Sequence, residues 1–106
     1  MSRYEETLTT LVKRFRPEAA QGLRAVYQLE LKGEDGGVWH LSVEDQQCRL
    51  AAGPAERPSV TIAMRTADWE SLVAGRLDVF QCLLDGRLEL GGDLSLAAQL
   101  RSLFEL

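Results

Sequence analysis

From Arg24 onward the apolar residues recur at every second position. Ala25, Tyr27, Leu29 and Leu31 alternate with Val26, Gln28, Glu30 and Lys32. After a break, Trp39, Leu41 and Val43 alternate with Val38, His40, Ser42 and Glu44. A period of two sends successive side chains to opposite faces, so both stretches read as strands with one oily face. The intervening Gly33-Glu-Asp-Gly-Gly37 suits a hairpin turn, because glycine accepts positive φ. Cys48, Leu50 and Ala52 mark a weaker third strand after a turn at residues 44–46. Residues 24–52 are therefore expected to form an antiparallel meander. Its second face carries Gln28, Glu30, Lys32, His40, Ser42, Glu44 and Arg49, and is expected to meet water. This constrains the rest of the chain: every other apolar element has to share the single oily face.

The remaining elements fit that demand. Residues 53–58 have loop composition. Val60, Ile62 and Met64 then alternate with Thr61 and Ala63 as a fourth strand. Ahead of the meander, Tyr4, Leu8, Leu11, Val12 and Phe15 form a helical stripe. Ser2 with Glu5 reads as its capping box, and Lys13, Arg14 and Arg16 suit its last turn. Pro17 ends this helix, and one more turn reaches to Gly22. After the fourth strand, Thr66 is the expected cap of a helix with Asp68 and Glu70 in its first turn. Trp69, Leu72 and Val73 are its inner stripe, and Gly75 is its stop.

Asp78 caps a further helix whose apolar content is Val79, Phe80, Leu83 and Leu84, closed by Gly86. Leu88 and Leu90 flank Glu89 in a short fifth strand, and Gly91-Gly92 is expected to bend the chain. Asp93 caps a last helix over residues 94–106, on which Leu96, Leu100, Leu103 and Phe104 share a face with Ala97. Leu94 and Leu106 extend its oily content. The summed expectation is a single α/β (α+β-like) domain over residues 1–106, a two-layer sandwich with all helices on one sheet face.

Charge and motifs exclude several functions. A net charge of −4 disfavours nucleic acid as main partner, since phosphate binding needs clustered Lys and Arg. No apolar run approaches the roughly 18 residues of a membrane span. The N-terminus has no oily segment behind a basic start, which disfavours a secretory signal. Cys48 and Cys82 share no metal-ligand spacing and read as free, buried thiols, so a reducing, cytoplasmic setting is expected. His40, the single histidine, falls on the water-facing side without a ligand partner at suitable spacing. The glycine-rich stretch 85–93 lacks the Lys and Ser/Thr of a phosphate loop, and its Asp93 is a helix cap. Glu34, Asp35, Glu44 and Asp45 are solvated turn residues, not a paired acid and base. No enzyme, metal site or cofactor is expected.

The order of signals resembles the sterol carrier protein type 2 family, the SCP2-like lipid-binding domain. The resemblance rests on Tyr27-Gln-Leu-Glu-Leu, the Gly-Asp-Gly turn and Trp39-His-Leu-Ser-Val, then on Val60-Thr-Ile-Ala-Met and Ala67-Asp-Trp-Glu-Ser-Leu-Val-Ala-Gly-Arg-Leu. It closes on Leu84-Asp-Gly-Arg-Leu-Glu-Leu-Gly-Gly-Asp-Leu-Ser-Leu-Ala. It implies a five-stranded mixed sheet, helices on one face, and an apolar tunnel that holds a sterol, fatty acid, fatty acyl-CoA or phospholipid non-covalently. Members of the family also occur as tails of larger enzymes and as standalone bacterial proteins assisting quinone biosynthesis.

The expected lining is Trp39, Leu41, Val60, Ile62, Met64, Trp69, Leu72, Phe80, Leu83, Leu100, Leu103 and Phe104. The expected function is a non-catalytic carrier of an apolar lipid-like ligand, as monomer or homodimer, with at most transient membrane contact through Lys13, Arg14 and Arg16. The alternative is an accessory protein of quinone or lipid metabolism with a filled core, using Leu94, Leu103, Phe104 and Leu106 as a partner-facing patch. An empty pocket of roughly 300 Å³ would cost on the order of 7 kcal/mol. That is comparable with the whole stability of a small domain, about 5–15 kcal/mol. Any tunnel is therefore expected to be collapsed, flexible or occupied.

Overall fold

The computed structural model describes residues 4–104. Five strands form one sheet: β1 (Ala25–Lys32), β2 (Gly37–Glu44), β3 (Gln47–Ala52), β4 (Val60–Arg65) and β5 (Leu88–Gly92), in the order β3-β2-β1-β4-β5. β1 pairs antiparallel with β2 and parallel with β4, and the other pairs are antiparallel, so the sheet is mixed. The helices are α1 (Glu5–Lys13), α2 (Thr66–Val73), α3 (Val79–Leu84), α4 (Leu94–Ala98) and α5 (Leu100–Phe104), with a short 3-10 turn at Pro17–Ala20. The helices pack on the face formed by Tyr27, Leu29, Leu41, Val43, Ile62, Met64 and Leu88, which is where the core lies.

The meander forms where the alternation places it. The opposite face is less open than expected, because of topology. The chain must pass from β3 at the sheet edge to β4, beyond β2 and β1. Residues 53–59 make that passage across the polar face and act as a strap. The Gly53 N–H donates to the Val38 carbonyl (2.8 Å), and the Ser59 N–H donates to that of Val26 (2.8 Å). The Ala55 N–H donates to Oε1 of Gln28 at 2.9 Å. Gln28 is thus buried rather than in water. His40 is half-buried beside the strap, its Nδ1 2.9 Å from the Gly53 carbonyl oxygen. Its role is structural, not that of a solvated surface residue.

Several helix boundaries differ from the expectation. α1 stops at Lys13 with Arg14 as its C-cap, and Arg16 precedes the 3-10 turn in which Pro17 takes the first position. Ser2, the expected α1 cap, lies outside the described residues, as does Leu106. Thr66 is not a cap: β4 runs on to Arg65, and Thr66 is the buried first residue of α2. Its hydroxyl would lie 3.0 Å from a Cβ on Gly33, so it packs against the hairpin instead.

Gly75 (φ +82°) ends α2 as expected, with Arg76 N–H donating to the Ser71 carbonyl and Gly75 N–H to that of Leu72. Asp78 caps α3, accepting from the Phe80 N–H at 2.7 Å. The buried face of α3, however, is Val79 and Cys82, while Phe80, Leu83 and Leu84 face outward. Gly91 and Gly92 do not bend the chain away; they belong to β5, opposite Thr61 and Val60. The last helix is broken at Gln99 into α4 and α5.

α5 is the anchored half. Leu103 and Phe104 are fully buried, Phe104 packs on Phe15 (5.7 Å between ring centroids), and the Arg16 N–H donates to the Leu103 carbonyl at 2.8 Å. Burial at this depth removes Leu103 and Phe104 from any partner-facing patch. Of the three described members of that expected patch, Leu94 alone is exposed.

Candidate functional site

The only apolar sheet face and the helices above it enclose a small chamber of about 30 Å³. Its floor is Tyr27 and Leu29 of β1, Leu41 of β2, Ile62 and Met64 of β4, and Leu88 of β5. Its roof is Leu11 of α1, Trp69 and Leu72 of α2, Val79 of α3 and Leu100 of α5. Strand parity delivers the floor, since alternate residues of neighbouring strands point into the same layer. The helices deliver the roof because the sheet offers their inner stripes one apolar face on which to bury.

Two polar tips reach this layer, and both are satisfied. The Tyr27 hydroxyl donates to the Leu96 carbonyl at 2.9 Å, and the Trp69 indole N–H donates to the Thr7 hydroxyl oxygen at 2.8 Å. The chamber therefore offers hydrocarbon and no spare hydrogen-bonding group. It is large enough for about one water, but an apolar void of that size has nothing to hold one.

A groove of about 120 Å³ lies outside the chamber, between α3, β5 and α4. Phe80 and Leu83 stand on one bank, Leu94, Ala97 and Ala98 on the other, with Leu90 at the base. Val79, Leu88 and Leu100 line both spaces, so these three side chains form the partition between groove and chamber. Neither space reaches the roughly 300–1,000 Å³ of an open small-molecule pocket.

Six of the expected lining residues meet at the chamber: Leu41, Ile62, Met64, Trp69, Leu72 and Leu100. Phe80 and Leu83 line the groove instead. Trp39, Val60, Leu103 and Phe104 are buried core residues that line neither space. Leu11, Tyr27, Leu29, Val79 and Leu88, outside the expected lining, complete the chamber wall. For Tyr27 and Leu29 the alternation already pointed inward. Their centrality comes from the strand order, which puts β1 between β2 and β4.

The electrostatics add no reacting group. Burial, with the charge of Asp93 as a second cause, pushes the Tyr27 phenol up to about 12. Burial pushes the Cys48 thiol up to about 11 and also raises that of Cys82. Both cysteines are free and stay protonated at neutral pH, so neither is an activated nucleophile. Among the described residues no group of three or more His, Cys, Asp or Glu side chains could hold a metal ion, and no helix is long and apolar enough to cross a membrane.

Comparison with known proteins agrees with the fold. The model of the SCP-2 sterol transfer family matches residues 7–105. Hydroxysteroid dehydrogenase-like protein 2 of Rattus norvegicus is 33% identical over 100 residues, covering 93% of this chain and 19% of the rat protein. The chain thus spans about a fifth of the length of that relative. The solution structure of palmitated SCP2L2 from Aedes aegypti superposes with a TM-score of 0.72 at 28% identity, covering 96% of this chain and 93% of that one. A segment of the sec-alkylsulfatase Pisa1 from Pseudomonas sp. superposes with a TM-score of 0.75 over 89% of this chain and 15% of the enzyme. At 19% identity that likeness concerns the fold alone.

Proposed function

The chain belongs to the SCP-2 sterol transfer family, and from that premise we propose that it is a non-catalytic carrier holding an apolar, lipid-like molecule between its sheet and its helices. The observation that carries this reading is the layer itself. An entirely hydrocarbon-lined chamber lies between sheet and helices, and a second apolar space lies directly outside it behind three side chains. The palmitated mosquito protein of the same fold supports the choice of a long-chain lipid.

A chamber of about 30 Å³ holds no lipid as it stands. Loading therefore requires Val79, Leu88 and Leu100 to part, so that chamber and groove merge. α4, which forms one bank of the groove and leads through Gln99 into Leu100, is the element best placed to yield and to draw Leu100 with it. It is five residues long, Ala97 is its only buried side chain, and the chain is broken behind it at Gln99. Residues 1–106 are taken as one domain, and the two free thiols suit a cytoplasmic setting.

The test is native mass spectrometry of freshly purified protein with solvent extraction, followed by titration with a fluorescent long-chain fatty acid. A bound lipid mass or saturable uptake is expected, and Leu100→Asp should abolish it while circular dichroism stays native. A folded Leu100→Asp protein that retains lipid as well as the wild type would refute the roof assignment. Absence of both bound mass and uptake in the wild type would leave the second reading. That reading, an accessory protein with a filled core, is favoured by the near-closed chamber.

A further inference from the structure

The groove has an outer margin that the carrier reading does not use. On α3, Phe80, Leu83 and Leu84 are three and four residues apart and so share one face of the helix. That face looks into solvent: Phe80 is 45% exposed, Leu83 40% and Leu84 81%, and Leu94 across the groove is 63% exposed. Val79 and Cys82 do the inward packing of the same helix. Single exposed leucines are ordinary, but a contiguous apolar face beside a groove marks an interaction surface.

Phe80 joins this face to a basic cleft. The Arg101 guanidinium lies over its ring, 5.2 Å from the centroid. Arg101, Arg14 and Arg76 line one cleft together with Asp78, whose carboxylate is 3.8 Å from Arg101. Arg14 and Arg76 are exposed cations in excess of that carboxylate. A chain of net charge −4 thus gathers positive charge at the margin of its exposed apolar face. The pairing of apolar side chains with a basic rim is what an interfacial segment needs. A second copy meeting the same face about a two-fold axis would bring these cations against their own kind.

We propose that this face, formed by α3, α4 and the Arg14–Arg76–Arg101 cleft, docks on a lipid bilayer that carries anionic headgroups. Phe80, Leu83, Leu84 and Leu94 enter the boundary between headgroups and acyl chains. Arg14 and Arg76 meet the headgroup charge, and the groove opens into lipid instead of water. The docking rests on the carrier reading only for that last consequence. It differs from contact through the α1 cations, because α1 contributes Arg14 alone to the face, at its C-cap.

The experiment is flotation of the full chain with vesicles of phosphatidylcholine, or of phosphatidylcholine mixed with phosphatidylglycerol, at low and high salt. Binding is expected for the mixed vesicles only and should weaken as salt screens it. Arg14→Glu with Arg76→Glu should lower the partition coefficient about tenfold or more, at the usual worth of a basic residue near an anionic surface. Leu84→Ser, at a position lining neither groove nor chamber, should lower it as well. Arg49→Glu with Arg57→Glu, exposed on the strap side, makes the same change in net charge and should leave binding nearly intact.

Equal binding to both vesicle types, absence of binding, or an equal loss in the strap-side variant overturns the proposal. Self-association through this face without flotation overturns it too. Fatty-acid uptake in vesicle-free solution, measured on the same variants, separates the two readings. Docking variants that keep uptake and lose flotation support the proposal, and wild type that floats but takes up no fatty acid sinks the carrier reading alone.

Discussion

Tyr27 shows how one side chain serves two layers. Its ring forms part of the chamber floor, and its hydroxyl holds the Leu96 carbonyl of α4 at 2.9 Å. Removing that hydroxyl in Tyr27→Phe should cost about 1 kcal/mol at neutral pH, the usual worth of a buried hydrogen bond. The pH dependence follows from the raised phenol. A folded-state value of about 12, against 10.0 for the free side chain, means that stability is full below pH 10 and declines as pH rises toward 12. The total loss across that window is about 3 kcal/mol. Urea midpoints of wild type and Tyr27→Phe should therefore converge as pH rises above 10 and then cross, the variant becoming the more stable. A constant gap would rule out a buried neutral phenol.

Gly92 is the second such position. It has φ +90°, and a Cβ there would lie 2.3 Å from the Ser59 carbonyl oxygen, which is backbone and cannot swing aside. Gly92→Ala should destabilise by on the order of 2 kcal/mol, visible in the same urea titration. Sequence marked the Gly91-Gly92 pair as a bend because glycine pairs usually are one. The close approach of β5 to the end of the strap is a long-range fact that no local pattern carries.

Among the elements, the helix starts separate what was legible from what was not. Asp78 and Asp93 cap α3 and α4 as their composition suggests. Asp93 accepts from the Ser95 hydroxyl and from the N–H groups of Ser95 and Leu96, and these bonds, the Ser95 hydroxyl first, hold its carboxyl below the usual range. A lowered value gives stability that is present above the ordinary carboxylate range and lost as pH falls through it. Asp93→Asn should therefore leave neutral stability nearly unchanged, since Asn caps as well as Asp, and should flatten the acid limb of a thermal-melting pH profile. A variant with an acid limb as steep as wild type would contradict the cap.

Thr66 carries the same cap chemistry and is not used as one, because the hairpin at Gly33 buries it. α3 is apolar on both sides, so its six residues contain two possible inner stripes. Its attachment to β5 selects Val79 and Cys82. The break at Gln99 is equally silent in the pattern, since Leu96, Leu100, Leu103 and Phe104 keep helical spacing across it.

For the molecule as a unit, the decisive quantity is room. The candidate ligand space is nearly closed, which agrees with the expectation that an empty tunnel in a small domain collapses rather than stands open. Two consequences follow for the carrier reading. A ligand at about a hundred times its dissociation constant should add about 2.7 kcal/mol. In a domain of this size that raises the melting temperature by on the order of 10 °C, measurable by differential scanning fluorimetry. Leu29→Ala, which enlarges the floor of the chamber, should cost about 2–5 kcal/mol in the ligand-free protein. Added long-chain lipid should recover part of that loss, and a recovery no greater than in a variant remote from the chamber, such as Val43→Ala, would count against a ligand there.

The amino-acid sequence alone determined the strands, the single oily sheet face, the layer on which the helices pack, and the Asp and Gly signals at the ends of α2, α3 and α4. These are local properties: a period of two or of 3.6, a side-chain oxygen near free N–H groups, a residue tolerant of positive φ. Three matters required the folded chain. They are the placement of β4 beside β1, the strap that this crossing lays over Gln28 and His40, and the turn of α3 that leaves Phe80, Leu83 and Leu84 outside. Each depends on which distant surfaces compete for the same area, and periodicity within one segment holds no record of that competition.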